Sequence, residues 1–129
     1  MKTALLYETD AHLLEVLKVA LEMDNFQVHT ITDEASDFLE LINRLRPHVV
    51  LLDYKLSGEA CKLICRKIKD QYPHLPVIAL SCNNNIHEVY AKNGFDDYIS
   101  KPFDLDLLYT VLRKHVTKMQ QGYGPPQSL

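Results

Sequence analysis

The chain has 129 residues, 47% apolar and 24% charged, with a formal net charge of −3, which fits one soluble domain that buries a core without metal or disulfide staples. Such mild acidity does not supply the clustered basic surface that non-specific nucleic-acid binding requires, a local patch on one helix aside, and no run approaches the roughly 20 apolar residues that cross a bilayer. Cys61, Cys65 and Cys82 lack C-x-x-C spacing, so a reducing, cytoplasmic compartment is expected rather than a disulfide framework or zinc site.

In chain order, Met1 to Glu8 is too short in apolar length for a signal peptide and has no small-residue cleavage site. Ala4-Leu5-Leu6-Tyr7 reads as a strand. A helix follows from about Ala11, with Leu13, Val16, Leu17, Ala20 and Leu21 at helical spacing, Asp10 as N-cap and an end near Asp24-Asn25. Phe26 to Ile31 alternates like a half-exposed strand near a sheet edge. Phe38, Leu39, Leu41, Ile42 and Leu45 then form the stripe of a second helix, which Pro47 stops.

Val49-Val50-Leu51-Leu52 is wholly apolar and ends on Asp53. Four such residues need a dry sheet, and the acid after them must emerge at its edge, where a charge meets solvent, a cation or a reacting group. Gly58 breaks the chain before a helix carrying Ala60, Leu63, Ile64 and Ile68, on which Cys61 and Cys65 share a face as small buried hydrophobes. Pro73 and Pro76 bracket the turn into Val77-Ile78-Ala79-Leu80, which ends on Ser81. A short helix over about Ile86 to Lys92 meets the stop signal Asn93-Gly94 before the strand Asp97 to Ser100. Asp104 caps a last helix with Leu105, Leu108, Leu112 and Val116 facing in, and 119–129 reads as a flexible tail or the start of a linker.

Strands alternating with helices of this length predict β-α units around a parallel sheet with right-handed crossovers. In such sheets ligands bind beyond the carboxyl ends of the strands. Those ends carry Glu8-Thr9-Asp10, Asp53, Ser81 and Lys101, a set able to hold a metal and a phosphoryl group together. No Gly-rich phosphate loop follows any strand, which argues against a flavin or dinucleotide enzyme. The six histidines show no H-E-x-x-H pairing.

From Lys2 to about residue 117 the pattern resembles the CheY-like receiver domain of bacterial two-component response regulators. Leu51-Leu52-Asp53-Tyr54-Lys55-Leu56 is similar to the segment around that family's phospho-accepting Asp, Val77 to Ser81 to its strand ending in Ser or Thr, and Asp97 to Phe103 to the segment with its Lys-Pro pair. The resemblance implies a flavodoxin-like (βα)5 three-layer sandwich, with parallel strands in the order 2-1-3-4-5 and a receiver domain over 1–118. It implies that Asp53 accepts a phosphoryl group from a sensor histidine kinase or His-phosphotransfer protein, in a signalling domain that catalyses only its own phosphotransfer and dephosphorylation. Ser81, Tyr98 and Lys101 would be the catalytic and switch residues. Mg²⁺ would be held by Glu8, Asp53 and the main-chain carbonyl of Lys55, with Asp10 as a further candidate. A downstream protein partner is implied and a homodimer allowed, with no direct contact to nucleic acid or membrane, and Lys101-Pro102 is expected to be cis.

The sequence departs from the family at Thr9, where a second acid is usual. A hydroxyl in place of a charge about 4 Å from the ion loses roughly 4 kcal/mol at an effective dielectric of 20, so weakened Mg²⁺ binding is expected. The turn after Asp53 departs at Ser57 and at Ala60-Cys61, and the stretch from Ser81 to Gly94 is about two residues short. The alternative is therefore a phosphorylation-independent pseudo-receiver that acts as a protein-protein interaction module.

Overall fold

The computed structural model describes residues 2–33, 35–55, 58–83 and 85–116. Ten elements alternate: β1 (Lys2–Tyr7), α1 (Ala11–Met23), β2 (Phe26–Ile31), α2 (Phe38–Leu45), β3 (Val49–Tyr54), α3 (Glu59–Gln71), β4 (Val77–Ser81), α4 (Ile86–Val89), β5 (Asp97–Ser100) and α5 (Leu105–Val116). All strands pair in parallel, in the order β2-β1-β3-β4-β5, as the sequence led us to expect. The stretch 119–129, read above as a tail, lies outside the described residues.

Strand parity builds two cores. Leu5, Tyr7, Val50, Leu52, Val77 and Ala79 face α2, α3 and α4, where Phe38, Ile42, Cys61, Cys65, Ile68 and Ile86 meet them. Ala4, Leu6, Val49, Leu51, Ile78, Leu80 and Ile99 face α1 and α5, meeting Leu17, Ala20, Leu21, Leu108, Val111 and Leu112. β3 is buried along its whole length because both of its faces are covered. By the same parity Asp53 follows Val49 and Leu51 onto the α1–α5 face.

The helix starts at Asp10 and Asp104 are capped as expected, and Asp37 caps α2. Asp10 Oδ1 accepts the N–H groups of His12 and Leu13, Asp37 Oδ1 that of Glu40, and Asp104 Oδ1 that of Leu107. α4 is shorter than the expected Ile86 to Lys92. No side chain caps its start at Asn85, and the turns after it close on Gly94 (φ +96°), with Phe95 N–H donating to the Tyr90 carbonyl and Gly94 N–H to that of Ala91. Three positions in the helical stripes need correction. Leu105, the first residue of α5, is 42% exposed, because at the helix's leading end it projects beyond the layer that Leu108 and Leu112 contact. Val16 is 45% and Leu63 54% exposed, since the buried stripe of α1 narrows to Leu17, Ala20 and Leu21 and that of α3 to Cys61, Cys65 and Ile68.

Candidate functional site

β1 and β3 are hydrogen-bonded neighbours, so the residues that leave their carboxyl ends arrive together. Glu8 is 1% exposed and Asp53 4%. Charges buried this deeply need partners. Lys101, just past β5, supplies one: its Nζ lies 2.9 Å from Glu8 Oε1 and 3.0 Å from Asp53 Oδ1, with its side chain 13% exposed. Its main-chain N–H donates to the Ser81 carbonyl at 2.7 Å, fastening the chain after β5 to the end of β4. The Lys101-Pro102 peptide is cis, as the resemblance implied.

Asp53 is held at both oxygens. Oδ2 accepts from the Thr9 hydroxyl at 2.6 Å and from the Thr9 main-chain N–H at 3.2 Å, while Oδ1 takes the ammonium. Burial pushes its carboxyl upward, but the Thr9 hydroxyl, the Lys101 ammonium and the Thr9 amide together outweigh burial and hold it below the usual carboxylate range. For Glu8, burial wins over the Asp10 N–H and the ammonium, and its carboxyl is raised. Its Oε2 accepts that N–H at 3.0 Å. Oε1 pairs with the ammonium without hydrogen-bond geometry, leaving a buried oxygen with no hydrogen-bond partner among the described residues. Lys101 is pushed down by burial but pulled further up by Glu8 and Asp53.

The pocket thus unites Glu8, Thr9, Asp53 and Lys101, two carboxyl groups against one ammonium. Ser81 is buried at the adjacent strand end, where its Oγ accepts the Asn83 N–H at 2.9 Å. Tyr98 is half-buried with its ring 4.9 Å from that of Tyr90. Asp10 gives Oδ1 to the α1 cap. The Lys55 carbonyl accepts Gly58 N–H at 2.6 Å, and its side chain is exposed. Two contacts escaped the sequence reading: Thr9, read only as a lost acid, is a hydrogen-bond donor to Asp53, and Tyr90 is the ring against Tyr98. For Thr9, a hydroxyl residue right after an acid at a strand end was the available signal.

A five-stranded parallel sheet with an acid, an alcohol and an amine at its carboxyl edge defines a class of signalling domain, and comparison with known proteins gives the same answer. Residues 4–113 match the response regulator receiver domain family; the chain belongs to it. Among curated relatives, the transcriptional regulatory protein CseB of Streptomyces avermitilis is 34% identical over 123 residues, covering 94% of this chain and 52% of its own length. The heme response regulator HssR of Staphylococcus epidermidis is 35% identical over 123 residues, covering 89% and 53%. The chain therefore spans about half the length of these relatives. Among solved structures, NtrX from Brucella abortus, in complex with ATP, superposes with a TM-score of 0.76 at 27% identity, over 91% of this chain and 27% of that one. The receiver domain of the Pseudomonas aeruginosa sensor histidine kinase PA1611, with a magnesium ion in its active-site cleft, gives 0.77 at 24% identity, over 90% and 98%. Among the described residues no helix is long and apolar enough to cross a membrane.

Proposed function

We propose that Asp53 is the phosphoryl acceptor of this receiver domain, charged by a phosphohistidine on a sensor histidine kinase or His-phosphotransfer protein. The observation that carries this reading is the Lys101 ammonium bridging Glu8 and Asp53 at the carboxyl edge of the sheet. An Asp53 oxygen attacks phosphorus, the P–N bond to the donor imidazole breaks, and its electron pair stays on that nitrogen, which takes a proton from solvent. Asp53 is ionised for this step because its carboxyl is held low. The ammonium has three protons and donates one of them to Asp53 Oδ1, so a proton is left for a phosphoryl oxygen. The Ser81 hydroxyl accepts from Asn83 N–H and keeps its own proton to donate. Drawn to the phosphoryl group, Ser81 would move the chain after β4, which carries α4 and Tyr90 against Tyr98, and so present a changed surface to a downstream protein.

Mg²⁺ fits the residues present, in a reduced form. Glu8 Oε1, ion-paired with Lys101 but without a hydrogen bond among the described residues, is a carboxylate oxygen that can take a cation as a second partner. Glu8, Asp53 and the Lys55 carbonyl would hold it, with water completing its shell. When bound, the ion would neutralise charge on the transferring phosphoryl oxygens. Thr9 adds only a neutral oxygen, which supports weaker binding than a third acid would give.

The test is to incubate the protein with Mg²⁺ and a small acyl-phosphate donor, or with a cognate kinase, and weigh it. A phosphoryl increment that vanishes in Asp53→Asn is expected; no increment with any donor rejects the reading. A phosphorylation-independent interaction module is the second reading, favoured by an Asp53 already satisfied at both oxygens. Under it, partner binding survives Asp53→Asn unchanged.

A further inference from the structure

The two oxygens of Asp53 stand in different surroundings. Oδ2 receives two hydrogen bonds from one residue, the hydroxyl of Thr9 at 2.6 Å and its main-chain N–H at 3.2 Å. Oδ1 faces Lys101 Nζ at 3.0 Å. We infer that Thr9 is a positioning residue: it pins Oδ2, turns the carboxylate, and so makes Oδ1 the atom that takes the phosphoryl group. This rests on the reading of Asp53 as acceptor.

The argument is one of donors and lone pairs. An oxygen that accepts two hydrogen bonds has its lone pairs committed and is the poorer nucleophile. The oxygen beside the ammonium lies where an incoming phosphoryl oxygen is also drawn, so attack from Oδ1 keeps nucleophile and electrophile against one cation. A threonine hydroxyl has a single proton, and Thr9 gives it to Asp53. Rotation of a carboxylate about its Cβ–Cγ bond is otherwise soft. Bonds from both the backbone and the side chain of one residue fix it, a service a cation bound to that oxygen would also perform. Part of the cation's orienting task thus falls to an uncharged residue of the chain. With an acyl-phosphate donor, Oδ1 forms its bond to phosphorus as the P–O bond to the acyl group breaks, and the electron pair leaves on the released carboxylate.

The experiment measures phosphoryl uptake over a range of donor and Mg²⁺ concentrations in wild type, Thr9→Ser and Thr9→Val. Valine keeps the β-branched shape and the main-chain N–H but has no proton to give. The maximal rate should fall about tenfold in Thr9→Val, a loss of about 1.4 kcal/mol, with the donor KM within about twofold of wild type and part of the rate regained at high Mg²⁺. Thr9→Ser should stay within about threefold of wild type. The carboxyl ¹³C resonance of Asp53 should move in Thr9→Val and hold in Thr9→Ser. If Thr9→Val does not fold, Thr9→Ala carries the same test. A hydroxyl-free variant as fast as a competent wild type at every Mg²⁺ concentration overturns the inference alone, as does a Thr9→Ser as slow as Thr9→Val. An inert wild type overturns the reading of Asp53 and this inference with it.

Discussion

Lys101→Met isolates the charge that holds the pocket together. The thioether chain keeps most of the lysine stem's packing, while Glu8 and Asp53, both nearly inaccessible to water, lose the ammonium 2.9 and 3.0 Å away. Removing one partner of a buried pair costs about 3–5 kcal/mol, because the remaining charge stays dry and uncompensated. A second route bounds the loss. The variant can protonate Glu8 instead, at a cost that grows with the distance of the pH above an ordinary glutamate value. The loss is a large share of the roughly 5–15 kcal/mol that holds a domain folded.

The second route also fixes the pH dependence. A carboxyl whose folded pKa is raised binds more protons folded than unfolded, so its contribution is complete below the unfolded value and is lost as pH rises through the folded one. Glu8 already leans this way, and without the ammonium it leans further. The deficit of Lys101→Met against wild type should therefore grow as pH rises above about 4.5, by up to about 1.4 kcal/mol per pH unit. Urea unfolding followed by far-UV circular dichroism across that range measures it. A deficit below about 1 kcal/mol that ignores pH, the signature of an exposed pair, would refute the pocket as described.

Other expectations follow from single contacts. Glu8→Gln removes a carboxyl whose folded value is raised by burial, so stability should fall less than in wild type as pH rises above about 4.5; denaturant melts with the wild-type slope contradict this. Gly58 sits at φ +77° with the Tyr54 ring where a Cβ would go, so Gly58→Ala should cost about 2 kcal/mol or more, and a neutral effect in urea unfolding would place that ring elsewhere. Burial pushes the Cys65 thiol up to about 12 and the Cys61 thiol further in the same direction, while Cys82 is exposed. A thiol reagent at pH 8 should therefore label one cysteine in the folded protein and three after unfolding, and early labelling of Cys61 or Cys65 would contradict their burial.

The sheet was legible because strands buried on both faces become unbroken apolar runs, as Val49 to Leu52 and Val77 to Leu80 are. The acids of the site were legible for the same reason, since Glu8 and Asp53 end such runs, whereas Lys101 was legible from its Lys-Pro pair after β5. The Thr9 hydroxyl on Asp53 was not. That bond joins residues 44 apart and depends on a side-chain torsion that no periodicity encodes. The reach of α4 was illegible too, since its last hydrogen bonds pass into the turns that close on Gly94 rather than into a regular helix. The exposure of Leu105 depends on how far α5 extends past its layer, which helical spacing does not specify.

Strand order explains why the amine has to be a lysine. Glu8 and Asp53 leave adjacent strands, but Lys101 leaves β5, which is separated from β3 by β4. Neighbouring strands lie about 4.8 Å apart, so the amine must come from roughly 10 Å away. A four-carbon stem makes up most of that distance only if the end of β4 stays low beneath it. There stands Ser81, small and fully buried, its carbonyl taking the Lys101 N–H at 2.7 Å. Arginine has the length, but its planar fork requires more room than a compact ammonium between two carboxylates. The reach across β4 thus ties together three positions that sequence analysis treats separately: an acid on β3, a small hydroxyl residue on β4 and a lysine after β5.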